Sequence, residues 1–142
     1  MKNNKMLTIM LIILVTITLI GVVIFVLLTQ FNKPAETAAP SIDEILVASV
    51  DVPEITTNLA DKRFVRISLK IQTSSEEAAV ELTKRDFQTK NLIIQELSEM
   101  DQEGLKGKQG KEMFQKALKT KLNELMQEGE IQQVYITSYI IS

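Results

Sequence analysis

The side chains that most often carry catalysis are absent from this chain: its 142 residues include no cysteine and no histidine. That removes the thiolate nucleophile, the disulfide, the imidazole base and zinc sites of the Cys/His type. Ser, Tyr, Lys, Asp and Glu remain, but no Ser-x-x-Lys pattern occurs that could form a serine–lysine dyad. No enzyme and no cofactor are expected. Gly104, Gly107 and Gly110 recur at every third position. No nucleotide-binding strand leads into them and no Gly-Lys-Ser/Thr ending follows, so they read as a helix connection that needs positive φ rather than a phosphate cradle. The acidic run Glu96, Glu99, Asp101 and Glu103 lacks the loop spacing of a calcium site and reads as a solvated face. Lys106, Lys108, Lys111, Lys116, Lys119 and Lys121 form the one basic stretch. Glu112 and Glu124 interrupt it, which favours ordinary helix-surface charge over contact with anionic lipid or a partner. Tyr135 and Tyr139 are the chain's two tyrosines. Four apart in an alternating segment, they share one face. They are the candidate partner contacts if that face is exposed, and a second buried layer if a helix covers it.

The elements that must position these residues follow from hydrophobic periodicity. Ser41 with Glu44 makes a capping box ahead of a short helix ending before Pro53. Glu54 to Leu59 reads as a short strand and Ala60 to Arg63 as a turn. Phe64 to Thr73 alternates, with Val65, Ile67, Leu69 and Ile71 on one face and Arg66, Ser68, Lys70 and Gln72 on the other. Ser74 with Glu77 reads as a second capping box. It opens a long helix from Glu76 to about Met100, kinked near Asp86 and packed through Ala79, Leu82, Phe87, Ile93, Ile94, Leu97 and Met100. A further helix over about Lys111 to Gln127 carries the stripe Phe114, Leu118, Leu122 and Leu125, with Gly129 as its left-handed cap. The last strand, Ile131 to Ile141, sets Val134, Ile136 and Ile140 against Tyr135, Thr137, Tyr139 and Ile141. Two early strands, two long helices and a final strand that returns to the sheet make the class α+β, with a three-stranded sheet.

Before this domain lies an apolar block. Met6 to Leu28 contains no charged residue, and about 20 residues at about 1.5 Å each span a bilayer core of roughly 30 Å. A cleaved signal peptide and a buried core helix are the other readings. The run exceeds the roughly 7 to 15 residues of a signal-peptide apolar region, which favours an uncleaved anchor. Lys2 and Lys5 precede the span and Lys33 alone follows it before the acidic residues, so positive-inside bias puts the N-terminus in the cytoplasm and the domain outside. The expected organisation is a cytoplasmic N-terminus at 1–5, a transmembrane helix at 6–28, a linker at 29–40 and an extracytoplasmic domain at 41–142. Residues 1 to 40 hold three lysines against one glutamate, while the whole chain carries −2, so the domain is acidic. Nucleic acid is excluded as a partner, because it would require a basic footprint.

Three segments together carry a resemblance: Pro53-Glu54-Ile55-Thr56-Thr57-Asn58-Leu59-Ala60-Asp61 ahead of an alternating strand; a helix opened by Gly110-Lys111 and closed by Leu122-Asn123-Glu124-Leu125; and Val134-Tyr135-Ile136-Thr137-Ser138-Tyr139. With the single N-terminal span, the chain resembles the flagellar basal-body-associated FliL family from about residue 6 to the end. The resemblance implies a stomatin-like extracytoplasmic domain and a non-enzymatic accessory protein at the flagellar basal body. It further implies a homo-oligomeric ring around the ion-driven stator, MotA and MotB, that supports motility, with no small-molecule substrate, cofactor or metal. A general stomatin-like membrane organiser or sensor-type binding protein unrelated to flagella is the alternative.

Overall fold

The computed structural model describes residues 2–31 and 39–142. Most of the linker expected at 29–40 therefore lies outside the described residues. The chain divides into two units, 1–39 and 40–142.

The first unit is helix α1, Lys2–Phe31. Its segment Asn3–Phe31 is long and apolar enough to cross a bilayer. The side chains described along it are exposed, and the helix is hydrophobic all round. Its threonines satisfy their own hydroxyls: Thr8 donates to the Asn4 carbonyl (2.7 Å) and Thr18 to the Leu14 carbonyl (2.8 Å). Such bonds to the carbonyl three or four residues back satisfy a threonine hydroxyl within its own helix.

The second unit opens with α2, Ile42–Val47. The Ser41 hydroxyl accepts from the Glu44 N–H (3.3 Å) and the Glu44 carboxylate accepts from the Ser41 N–H (2.7 Å), completing the capping box. Three strands follow, β1 (Ser49–Asn58), β2 (Phe64–Thr73) and β3 (Ile131–Ile141), in the order β1-β2-β3 and antiparallel throughout. β1 begins five residues before the expected Glu54 and runs through Pro53. It can do so because it is an edge strand whose register shifts between Val52 and Ile55, where a proline withholds no needed ladder donor. In the turn after it, Leu59 donates to the Arg63 carbonyl (2.8 Å) and Lys62 takes a φ of 68°.

Central strand β2 is as expected. Val65, Ile67, Leu69 and Ile71 are fully buried beneath three helices: α3 (Glu76–Lys84), α4 (Asp86–Glu99) and α5 (Gly107–Leu125). These helices contribute Leu82, Ile93, Leu97, Phe114, Leu118 and Leu122 to the core. Each such side chain is worth roughly 1.5–3 kcal/mol on burial.

Four expectations are corrected here. The long helix over Glu76–Met100 is two helices broken at Arg85, and Phe87, expected in the core, is 72% exposed beyond the break. The N-cap of α3 is Ser75, whose hydroxyl accepts from the Ala78 N–H (3.2 Å). The Ser74 hydroxyl instead accepts from the Glu130 N–H (3.0 Å) and ties the start of β3 to the helix, so no Ser74–Glu77 box forms. Helix α5 begins at Gly107, earlier than Lys111, and ends at Leu125 on Met126 in an extended conformation. Gly129 is left-handed (φ 97°) but lies in the turn beyond the helix, where a Cβ would come within 3.1 Å of the Ala78 Cβ.

Candidate interaction surfaces

The two tyrosines lie on opposite faces of the sheet, a fifth correction. β3 pairs Ser138 with Ser68 but Ile136 with Leu69, so Thr137 is an extra residue with no partner on β2. One inserted residue inverts the alternation downstream of it. Tyr135 therefore sits beside Lys70 on the face without helices, 43% exposed, its hydroxyl 3.1 Å from the Gln72 side-chain oxygen. Tyr139 pairs with Ile67 and packs against the core from the helix side. The Lys111 ammonium lies 4.5 Å from its ring centroid, and partial burial raises the phenol's pKa. A second shift, between Gln72 and Thr73, does the same at Gln132 and brings Ile131 inward with Val134.

The face without helices carries Phe64 (55% exposed) and Ile140 (47% exposed) with Tyr135, Arg66 and Lys70. Lys70 is paired with Asp51 at 3.0 Å. An arginine among aromatic and aliphatic neighbours has the composition of a protein-contact surface.

Most members of the candidate charged clusters are engaged locally. Glu96 meets Lys121, whose pKa that contact raises; Asp101 accepts from the Gly104 N–H (2.7 Å); Glu103 lies 3.8 Å from Lys106. Lys108 faces Glu112 at 3.6 Å, and Lys111 reaches the Leu105 carbonyl (3.3 Å). Among the described residues no acidic cluster has the arrangement of a metal site. Of the three glycines, only Gly107 has positive φ (70°). Gly110 is buried where a Cβ would lie 2.9 Å from the Leu105 carbonyl carbon, so it permits close backbone approach rather than a turn.

One surface was not anticipated. At the α3–α4 break a groove of about 630 Å³ is lined by Val80, Phe87, Glu81, Arg85 and Gln127 among others. Glu81 organises it: its carboxylate accepts from the N–H groups of Gln127 (3.0 Å) and Glu128 and from Arg85 Nε (2.7 Å). The Glu128 N–H most of all, with help from Arg85 and Gln127, holds the Glu81 carboxyl below its ordinary pKa against the opposing effect of desolvation. Arg85 in turn donates to Gln88 (2.8 Å). The i,i+4 spacing of Glu81 and Arg85 was visible in the sequence; the reach across 46 residues to Gln127 was not.

The family model for the flagellar basal body-associated protein FliL matches residues 49–141, from the first residue of β1 to the last of β3. The chain belongs to the FliL family. It is 47% identical over 102 residues to the flagellar protein FliL of Bacillus subtilis (strain 168), covering 72% of this chain and 73% of that protein. A flagellar protein FliL from Aquifex aeolicus (strain VF5) is 24% identical over 112 residues, 77% of this chain and 68% of the relative. FliL membership makes this a flagellar accessory protein, and the three-stranded sheet beneath its helices is the part that the family match spans.

Proposed function

We propose that this FliL-family chain is a non-enzymatic, membrane-anchored part of the flagellar motor whose C-terminal domain assembles into a ring around the stator, MotA and MotB, and stabilises its active form. The observation that carries the reading is the family match over residues 49–141 in a chain that also holds a bilayer-length helix, Asn3–Phe31. Lys2 and Lys5 ahead of the span support, by positive-inside bias, an N-terminus in the cytoplasm and a stomatin-like domain outside. Confinement of both partners to one membrane raises their effective concentration. The domain then biases the stator only through its differential affinity for the active state. The helix-free face around Tyr135 is the proposed contact for the stator; Tyr139, expected to share it, lies on the opposite face.

The test is deletion with complementation. Loss of the gene should reduce swarming and the number of engaged stators, and the full chain should restore both and co-purify with MotA and MotB. Unchanged motility and stator occupancy in the deletion strain would overturn the reading. Protease added to intact protoplasts should remove the domain, and protection until lysis would reverse the orientation.

A further inference from the structure

On β3 part of the first half is capped by side chains, on β1 the first half is interrupted by Pro53 and a register shift, and the regular, uncapped halves of the two edges lie at the same level. On β3, the Asn123 side chain accepts from the Ile131 N–H (2.7 Å) and donates to the Ile131 carbonyl (3.3 Å), while Gln115 donates to the Val134 carbonyl (2.7 Å). These amides from α5 occupy the outward N–H and C=O of Ile131 and the outward C=O of Val134, in the first half of the strand. In the second half the alternation is fixed by Phe64 and Ser142, which exchange both backbone bonds (3.0 and 2.9 Å). Ile141 and Tyr139 therefore turn their N–H and C=O groups away from β2, and among the described residues none of these groups has a partner. On β1, the first half is interrupted by Pro53 and the register shift, and beyond the strand Ala60 is closed by its bond to the Met100 carbonyl (2.9 Å). Between them, the Leu59–Arg63 bond sets Thr56 and Asn58 outward.

Val65 of the central strand pairs with Thr57 on one side and Ile141 on the other; Ile67 pairs with Ile55 and Tyr139. The two openings thus face opposite directions across the same rungs. Ile55, Thr57, Tyr139 and Ile141 all lie half-exposed on the helix side, as side chains would that await one more strand. Natural sheets blunt edges that are not meant to pair with caps, prolines and bulges, and here those devices fall only in the first halves of β1 and β3.

The geometry points to a second copy as the occupant: the segment Tyr139–Ser142 of one chain pairs with Ile55–Asn58 of the next and extends the sheet from protomer to protomer. β1 and β3 run in the same direction, so this contact is parallel. It joins two different edges, so it is heterologous, and it closes into a ring if the rotation between copies closes. The inference rests on the oligomer proposed above and supplies its interface. A free backbone edge gives affinity and the half-exposed side chains give register, as in other strand-addition contacts.

The chain has no cysteine, which makes disulfide trapping of the full-length protein in its native membrane direct. Thr57→Cys with Ile141→Cys, on one rung and one face, should give a ladder of disulfide-linked oligomers on oxidation. Either single variant should not. Ser49→Cys with Gln133→Cys, which share the Gln72 rung in the first halves of β1 and β3, should stay monomeric. Thr56→Pro, introduced into the trapping pair, removes only an outward N–H and should abolish the ladder without loss of the folded circular dichroism spectrum. An amine-reactive crosslinker on native lysines reports any oligomer independently. Oligomers by that reagent without a disulfide ladder would overturn the edge contact and leave the ring standing. Absence of oligomers by both would overturn both. A ladder that survives Thr56→Pro would exclude backbone pairing at this edge.

Discussion

The Lys111 ammonium caps the ring of Tyr139 at 4.5 Å, joining the first turns of α5 to the far end of β3 across the helix side of the sheet. Tyr139 is thus partly a core residue, whereas Tyr135 is attached to the fold through one hydroxyl contact. Truncation of Tyr139 to Ala should lower unfolding stability by about 2 kcal/mol, through lost burial and a lost cation–π contact. Tyr135→Ala should change it by less than about 1 kcal/mol. Denaturant melts of the two variants under matched conditions check the ranking, and equal effects would mean that the tyrosines share one environment.

Glu81 gives the fold an acid-sensitive tie. Its folded pKa is lowered, chiefly by the Glu128 N–H. A group with a depressed folded pKa adds stability that is complete above its unfolded value, about 4.3 for Glu, and is lost as pH falls through the folded one. Glu81→Gln should therefore melt below the wild type at pH 7, and the gap should narrow steadily as pH falls below about 4.3. A gap of constant size from pH 7 to pH 3 would show that the tie does not depend on charge.

The glycines of the α4–α5 connection should respond differently from one another. Alanine is the better helix former by about 1 kcal/mol, yet at Gly110 its Cβ would lie 2.9 Å from the Leu105 carbonyl carbon, and backbone rather than a flexible side chain would have to move. Strain exceeds propensity, so Gly110→Ala should destabilise by about 1–3 kcal/mol. Gly107→Ala meets nothing within 4 Å and should lose only about 1 kcal/mol, the penalty of its left-handed φ. Thermal melts of both variants measure the order.

What could be seen in the sequence was what local pattern determines. The alternation of Val65, Ile67, Leu69 and Ile71, the Ser41–Glu44 box and the Phe114–Leu118–Leu122 stripe all stand in the structure as the periodicity implied. What could not be seen depends on partners distant in sequence. Ser74 leaves its expected capping role because Glu130 lies beside it in space, and Phe87 leaves the core because Arg85 ends one helix and starts another. Tyr139 changes face because a bulge obeys the ladder with β2, which period-two counting along β3 alone cannot register. The family membership was carried by short segments in the right order, and those segments are β1, α5 and β3.

Thr89 is 2% exposed, and among the described residues its hydroxyl has no hydrogen-bond partner. An unsatisfied buried hydroxyl is a standing penalty of about 1–3 kcal/mol, which an apolar group of the same shape removes. Thr89→Val should accordingly raise stability by about 1 kcal/mol, readable as a higher denaturation midpoint at unchanged slope. A decrease would indicate that a buried water or another chain satisfies the hydroxyl.

The bulge itself yields the sharpest test of the sheet's register. Thr137 is the residue with no opposite number, since Ser138 pairs with Ser68 and Ile136 with Leu69. Its deletion would leave those pairs adjacent on both strands, so Tyr139 and Ile141 would keep their inward places and Tyr135 its outward one. The lost bulge would change only local twist. Deletion of Ser68 from central strand β2 has no such escape: Val65 and Ile67 on one side, or Leu69 and Ile71 on the other, would have to turn outward. Turning two fully buried aliphatic side chains outward costs roughly 3–6 kcal/mol in burial alone, a large share of a small domain's total stability. The Thr137 deletion should therefore retain a cooperative melt within about 1–2 kcal/mol of the wild type, and the Ser68 deletion should lose its cooperative transition. Equal damage from the two deletions would place the irregularity of β3 elsewhere than Thr137.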